Sequence, residues 1–279
     1  MMDDFIAVIV LYKTALDRCT TLNSLRTALK STTSKLDVVI YDNSPNYQEV
    51  KEDFYPGLSI TYVSDLQNSG VSKAYNVGYT IAVEKKKKWM ILLDQDTDLP
   101  VDAFTKYTKA IAENSNQVLF APLMLTPDQK IISPCDFKFM RGSYAKNYTY
   151  GINSLKGRSL INSGLCIATH AFSKNNGYNE RIKLDYSDHD FIRRFSVHVT
   201  DSFVLVELKV MHQLSTDTSN TFESDKTRFD YYLEGSRYFQ FNFSSFFFLK
   251  SNNLLRAAKL SVLHKSTYFI KKYFKYIVS

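Results

Sequence analysis

Cysteine is scarce in this chain: Cys19, Cys135 and Cys166 are widely spaced and form no CxxC pair. That excludes a disulfide framework and a zinc knuckle, and it points to a reducing compartment. Long apolar runs are also missing, none reaching the roughly 18–20 residues of a membrane-spanning helix. The chain opens Met1-Met2-Asp3-Asp4, acidic where a secretion signal is basic, so no signal peptide is read. Neither a GxGxxG turn nor a GxxxxGKS/T loop occurs, which disfavours a dinucleotide dehydrogenase or a P-loop enzyme. What remains is a soluble cytoplasmic protein, or one resting peripherally on the inner face of the cell membrane. Its 279 residues, 44% hydrophobic and 14% aromatic, supply a core and exclude intrinsic disorder.

Acidic residues are absent from Phe241 to Ser279, where Lys250, Arg256, Lys259, Lys265, Lys271, Lys272 and Lys275 stand. The whole chain has 35 Lys plus Arg against 28 Asp plus Glu, so the net charge of +7 belongs to this tail. Aromatics crowd the same stretch, from Phe241 and Phe243 to Phe274 and Tyr276. Lysines among large aromatics suit a helix on anionic lipid headgroups, each basic residue contributing about 1 kcal/mol. The alternative is an apolar stripe packed on the body with the lysines merely solvated. On a helical wheel that stripe is Leu255, Ala258, Val262, Phe269, Tyr273 and Tyr276, with Lys265 intruding. Nucleic acid is not an expected partner, since the tail lacks a recognition motif and the body carries no basic excess.

Strand and helix patterns alternate through the first half. Apolar, β-branched runs predict strands at Phe5–Tyr12, Asp37–Tyr41, Ser59–Val63, Trp89–Leu93 and Val118–Ala121. Helical spacing predicts helices at Leu16–Leu29, Val71–Val83 and Val101–Ala112, and the run Lys85–Lys88 reads as a solvated connection. Residues 126–158 have no clear period and read as irregular or hairpin-rich. Beyond them come a strand at Leu160–Ala168, a helix at Asp188–Val197 and a strand at Phe203–Val210. Such alternation with continuous apolar strands means a parallel sheet covered on both faces.

Ligands bind such sheets beyond the carboxyl ends of the strands, so the residues that follow each strand are the candidates. The second strand runs into Asp42-Asn43-Ser44, and the third precedes Asn68-Ser69-Gly70 and Asn76-Val77-Gly78. The fourth ends in Asp94-Gln95-Asp96-Thr97. Asp94 and Asp96 repel each other unless a cation or hydrogen-bond donors compensate. Mg²⁺ or Mn²⁺ takes one or two carboxylates together with substrate phosphates. Simpler uses exist: Asp94, Asp96 and Asp98 as helix caps, Asp42 to Pro45 as a turn, and Asp185, Asp188 and Asp190 as charge at a helix N-terminus.

Taken together, VIVLYK, IYDNSP, NSGVSKAYNVGY and ILLDQDTDLP resemble the family 2 glycosyltransferases of GT-A fold. INSGLCIAT and GYNERIKLDYSDHDFIRR continue the likeness, which spans about residues 5–215 and leans toward the rhamnosyltransferase-like branch. The resemblance implies an α/β fold with one Rossmann-like, mostly parallel sheet flanked by helices. It assigns residues 1–240 to the transferase domain, the nucleotide-sugar half ending near 122, with a helical tail at 241–279. Tyr12 and Asp42 would contact the nucleotide base, and Asn68, Gly70 and Asn76 would line its pocket, Gly70 allowing close backbone approach. Asp94 would lie near the ribose or metal beside Gln95, and Asp96 would hold Mg²⁺ or Mn²⁺ on the diphosphate. Ser163 and Gly164 match the acceptor-side strand, Asp188 the general base, and His212 a metal or diphosphate contact. The pattern departs at His189 and at Asp190, commonly Glu, which leaves the base open among Asp185, Asp188 and Asp190.

The expected reaction is metal-dependent sugar transfer with inversion from a nucleotide-sugar donor to a saccharide acceptor on a lipid carrier. Two rivals are a nucleotidyltransferase-like enzyme, which would want a glycine-rich loop after the first strand, and a silent membrane-bound scaffold.

Overall fold

The computed structural model describes residues 2–29, 35–50, 55–211 and 221–278. Its central sheet grows from strands whose side chains are buried on both faces. β1 (Phe5–Leu11) is buried at every position, and β2 (Leu36–Asp42), β3 (Leu58–Ser64) and β4 (Trp89–Asp94) run parallel beside it. Period-two alternation divides β1 between two cores. Phe5, Ala7, Ile9 and Leu11 pack under α1 (Thr20–Leu29) and α3 (Ala103–Glu113), while Ile6, Val8 and Val10 face α2 (Val71–Glu84). A Cβ on Gly78 would lie 2.6 Å from both methyls of Val8, so this glycine lets α2 approach β1.

Beyond β4 the sheet becomes mixed. β5 (Leu119–Leu125) and β11 (Ser202–Met211) are parallel, and β10 (Leu165–Ala168) lies antiparallel between β4 and β5. The order is β3-β2-β1-β4-β10-β5-β11-β8, β8 being Gly151–Ser154. The aperiodic stretch folds as antiparallel hairpins: β6 (Ile131–Lys138) pairs with β7 (Arg141–Ala145) and β9 (Arg158–Ser159). α4 (Thr169–Lys174) and α5 (Ser187–His198) complete the body.

Three sequence expectations change. The helix expected from Leu16 splits into a short 3-10 turn, Leu16–Arg18, and α1, because the Thr21 hydroxyl is tied to the carbonyls of Asp94 and Thr97. The lysine run is not merely solvated: Lys85 and Lys87 pair with Asp37, and Lys88 pairs with Asp4 at 3.0 Å. In the tail the apolar stripe is divided. α7 (Phe243–Leu263) and α8 (Tyr268–Val278) are separate helices that pack with α6 (Phe222–Tyr238) around Phe229, Leu233, Ala257 and Phe269. Phe269, Tyr273 and Tyr276 are buried there, whereas Leu255, Ala258 and Val262 face outward. No helix among the described residues is long and apolar enough to cross a membrane.

Candidate active site

Strand register assembles the site. Leu11 pairs with Asp42 on one side of β1, and Val10 pairs with Asp94 on the other. The parallel strands therefore end together and bracket Tyr12 with two carboxylates. The Tyr12 N–H donates to Gln95 Oε1 at 2.8 Å, and the Lys13 N–H donates to Ser44 Oγ at 2.7 Å. Asp42 is 1% exposed. It accepts from the Ser44 N–H at 2.9 Å, the Gln48 amide at 2.8 Å and the Tyr62 hydroxyl at 2.7 Å.

Asp94 is held by two neutral hydroxyls, Tyr75 on Oδ1 at 3.2 Å and Ser163 on Oδ2. Ser163 reaches it because β10 is antiparallel, so the start of β10 lies at the end of β4. The same serine oxygen accepts from the Asp94 N–H at 3.2 Å and from the Thr97 hydroxyl at 3.1 Å. Tyr75 is fully buried; its burial, then the charges of Asp94 and Asp188, hold the phenol pKa well above its ordinary value. Tyr178 behaves alike, raised by burial and then by Asp188.

Asp96 is partly buried in the loop between Asp94 and Asp98. The Asp98 N–H donates to the Met211 carbonyl at 3.4 Å, joining this loop to the end of β11. His212, which follows Met211, lies outside the described residues. Among the described residues no group of three or more His, Cys, Asp or Glu is placed to hold a metal.

The three aspartates near the start of α5 separate clearly. Asp185 is paired with Arg256 at 3.3 Å and Arg228 at 3.7 Å. Asp190 is buried between Arg193 at 3.1 Å and Arg194 at 2.8 Å. Asp188 is partly exposed and accepts from the His189 N–H at 2.7 Å; among the described residues no Arg or Lys pairs with it. His189 is itself anchored, its Nδ1 bonded to Ser159 Oγ at 2.7 Å and its ring 4.6 Å from that of Phe137.

Several residues that the resemblance places against substrate are occupied within the protein. A Cβ on Gly70, whose φ is +94°, would lie 2.3 Å from the Lys183 carbonyl oxygen. Its glycine character thus answers to the chain before α5. Asn76 donates to the Tyr178 carbonyl and to Glu180 and accepts from the Tyr178 N–H, which ties α2 to the same segment. Gly164, with φ +79°, leaves room for Pro122, 2.6 Å from where its Cβ would stand. Asn68 is a left-handed turn residue whose N–H bonds the Asp65 carbonyl at 3.1 Å. Sequence reasoning missed Tyr75, Gln48 and Tyr62 as partners of the two strand-end carboxylates. Tyr75 stands inside the NSGVSKAYNVGY motif, but no residue-type pattern marks the other two.

RfbF, a dTDP-rhamnosyl transferase of Shigella flexneri, is 25% identical over 215 residues, 77% of this chain and 70% of that protein. The structure of S. aureus TarS 1-349 superposes with a TM-score of 0.56 at 14% identity, covering 84% of this chain and 64% of TarS. Its complex with UDP gives a TM-score of 0.52 at 13% identity, with the same 84% and 64% coverage. The chain therefore spans slightly less than two thirds of those TarS chains, and the likeness carries the fold alone. The family model for glycosyl transferase family 2 matches residues 7–172, more than half of the chain. Those residues build the parallel strands, the Asp94–Asp98 loop and β10, and the chain belongs to glycosyl transferase family 2, with the GT-A fold.

Proposed function

We propose that this chain moves a sugar, rhamnose, from a nucleoside-diphosphate donor to a hydroxyl of a growing, lipid-linked surface polysaccharide, with inversion at the anomeric carbon. The observation that carries the reading is the convergence of Asp42 and Asp94 at the ends of the strands flanking β1, joined to Asp188 as the aspartate near the start of α5 that no Arg or Lys among the described residues pairs with. The likeness to RfbF favours a dTDP-rhamnose donor, and TarS has been seen with UDP. Three buried, unpaired cysteines fit the reducing cytoplasm.

In this mechanism the loops after β1, β2 and β4 hold the nucleotide, with Tyr12, Asp42, Asn68 and Gln95 nearest the base and ribose. The acceptor hydroxyl is a poor nucleophile at neutral pH and gives its proton to the Asp188 carboxylate. Its oxygen attacks the anomeric carbon from the face opposite the diphosphate, and the bond from that carbon to the diphosphate oxygen breaks. One carboxylate suffices, because no covalent sugar intermediate forms. The oxygen donors of Asp94 and Asp96 fit Mg²⁺ or Mn²⁺, which needs only one or two carboxylates beside substrate phosphates and water. Bound there, with His212 as a further contact, such a cation would neutralise the charge growing on the diphosphate.

The test is a panel of nucleotide sugars led by dTDP-rhamnose, scored for nucleoside diphosphate release with Mn²⁺ or Mg²⁺ and then with EDTA. Release from one donor, abolished by Asp96→Ala, is expected, and NMR of the product should show an inverted anomeric centre. Retained configuration would overturn the mechanism, and failure to bind any donor would overturn the function.

A further inference from the structure

We propose that the outer face of α7, continued by α8 and the β6–β7 hairpin tip, is a docking surface for an anionic lipid bilayer. The inference does not depend on the transfer reaction. α7 contacts the rest of the protein through one side, where Ser245, Leu249, Asn253, Ala257 and Leu260 recur at three- and four-residue intervals and are buried. On the opposite side large apolar side chains stand exposed around Ser244 and Ser251. Phe243 is 85% exposed, Phe247 59%, Leu255 64% and Val262 79%. An unpartnered apolar stripe on a helix that already has a buried one is not required for folding. It calls for an occupant.

A second element reaches the same surface. The hairpin tip between β6 and β7 sets Phe139 beside Phe248, ring centroids 5.0 Å apart, and the Phe139 carbonyl accepts from the Asn252 amide at 2.9 Å. Phe139 itself is 67% exposed and flanked in sequence by Lys138 and Arg141. α8 adds exposed Lys271, Phe274 and Lys275.

Charge selects the occupant. No acidic residue occurs from Phe241 onward. Lys259, Lys265, Lys271 and Lys275 are exposed, and no acidic partner is described for any of them, whereas Lys272 is neutralised by Asp230 at 2.9 Å. A second copy of this chain would bring the same positive charge to the interface and repel it. Anionic headgroups complement it, and the large aromatics suit the boundary between headgroup and acyl chain. The buried side of α7 carries the consequence inward, since Arg256 pairs with Asp185, three residues before Asp188. Docking would therefore set the start of α5 at a defined height above the lipid surface.

The experiment is co-sedimentation of the full chain with neutral phosphatidylcholine vesicles and with vesicles rich in anionic phosphatidylglycerol. Binding to the anionic vesicles alone is expected, released by raised salt. Lys259→Ala with Lys271→Ala should lower partitioning about 25-fold, at about fivefold per basic residue. Leu255→Glu with Val262→Glu should abolish binding while leaving the melting temperature unchanged. A probe on Val262→Cys offers a readout without added charge: its emission should shift blue with anionic vesicles. Equal binding to neutral vesicles, or none to either, would overturn the proposal. So would a dimer in ultracentrifugation that Leu255→Glu converts to monomer with no vesicle binding by either form.

Discussion

Asp185, Asp188 and Asp190 lie within six residues of one another and are the same chemical group, yet their surroundings give them different work. Asp190 is buried against two guanidinium groups, and Asp185 is joined to two arginines of the C-terminal helices. Truncating one partner of a buried ion pair leaves its counterion without compensation and costs about 3–5 kcal/mol. Asp190→Ala should therefore lower stability by that order, read from denaturant unfolding. Asp188→Asn changes a partly exposed group with no Arg or Lys partner among the described residues, so stability should hold while the turnover rate falls about 10²–10⁴-fold with donor affinity unchanged. Full activity in Asp188→Asn, or a stability loss as large as that of Asp190→Ala, would reverse the assignment.

At the scale of elements, the start of α5 is positioned by packing from several directions. Tyr186 before it has φ +74°, and its ring meets Tyr232 and Phe239 of the C-terminal region. A Cβ on Gly235 of α6 would lie 2.5 Å from the Asp185 carbonyl oxygen. From the start of α2, Gly70 fits against Lys183 and the Val71 N–H donates to the Lys183 carbonyl at 2.9 Å. Two glycines separate conformational strain from collision. Gly157 has φ +70° with nothing within 4 Å of its Cβ position, so Gly157→Ala should cost only the left-handed penalty, about 1–2 kcal/mol. Gly70, at φ +94° and ψ 179°, occupies a region essentially restricted to glycine, and Gly70→Ala adds a backbone collision to that cost. It should be the more destabilising of the two in thermal unfolding, and it alone should also reduce turnover by moving the segment ahead of Asp188. Equal effects would remove Gly70 from the positioning of α5.

The whole molecule has an acid limit set by structural carboxylates. Burial acts to raise the pKa of Asp37, but its bonds and charge contacts with Lys85 and Lys87 outweigh it and hold the carboxyl below its ordinary value. Asp65 is likewise lifted by burial and lowered, in net, by bonds from Ser69, Tyr41 and Gln67. A depressed folded-state pKa means stability that is fully present above the unfolded value, near 3.9, and is lost as pH falls through the folded value. Melting temperature should therefore drop on acidification below about pH 4. Asp37→Asn should lower it at pH 7 and flatten the acid drop; an unchanged profile would refute the linkage.

Much of this organisation was legible in the residues. FIAVIVL and WMILL read as buried strands, because short, apolar runs whose side chains alternate across a sheet need cover on both faces. Strand ends followed by Asp42 and by Asp94-Gln95-Asp96 then mark the ligand edge, whatever the chain does elsewhere. These are short-range properties, and the sequence by itself determined the parallel core and the sheet edge at which Asp42 and Asp94 emerge. The tertiary structure alone decided the rest. That Asp185 is held by arginines while Asp188 has no Arg or Lys partner among the described residues depends on Arg228 and on Arg256, 71 residues beyond Asp185. That Gly70 and Asn76 meet the segment ahead of α5 depends on Lys183 and Tyr178, brought over by the chain's return. The tail's apolar stripe divides because α7 and α8 fold against each other and α6, leaving one face of α7 outward. Periodicity reports which side chains share a face. Only the path of the chain decides what that face meets.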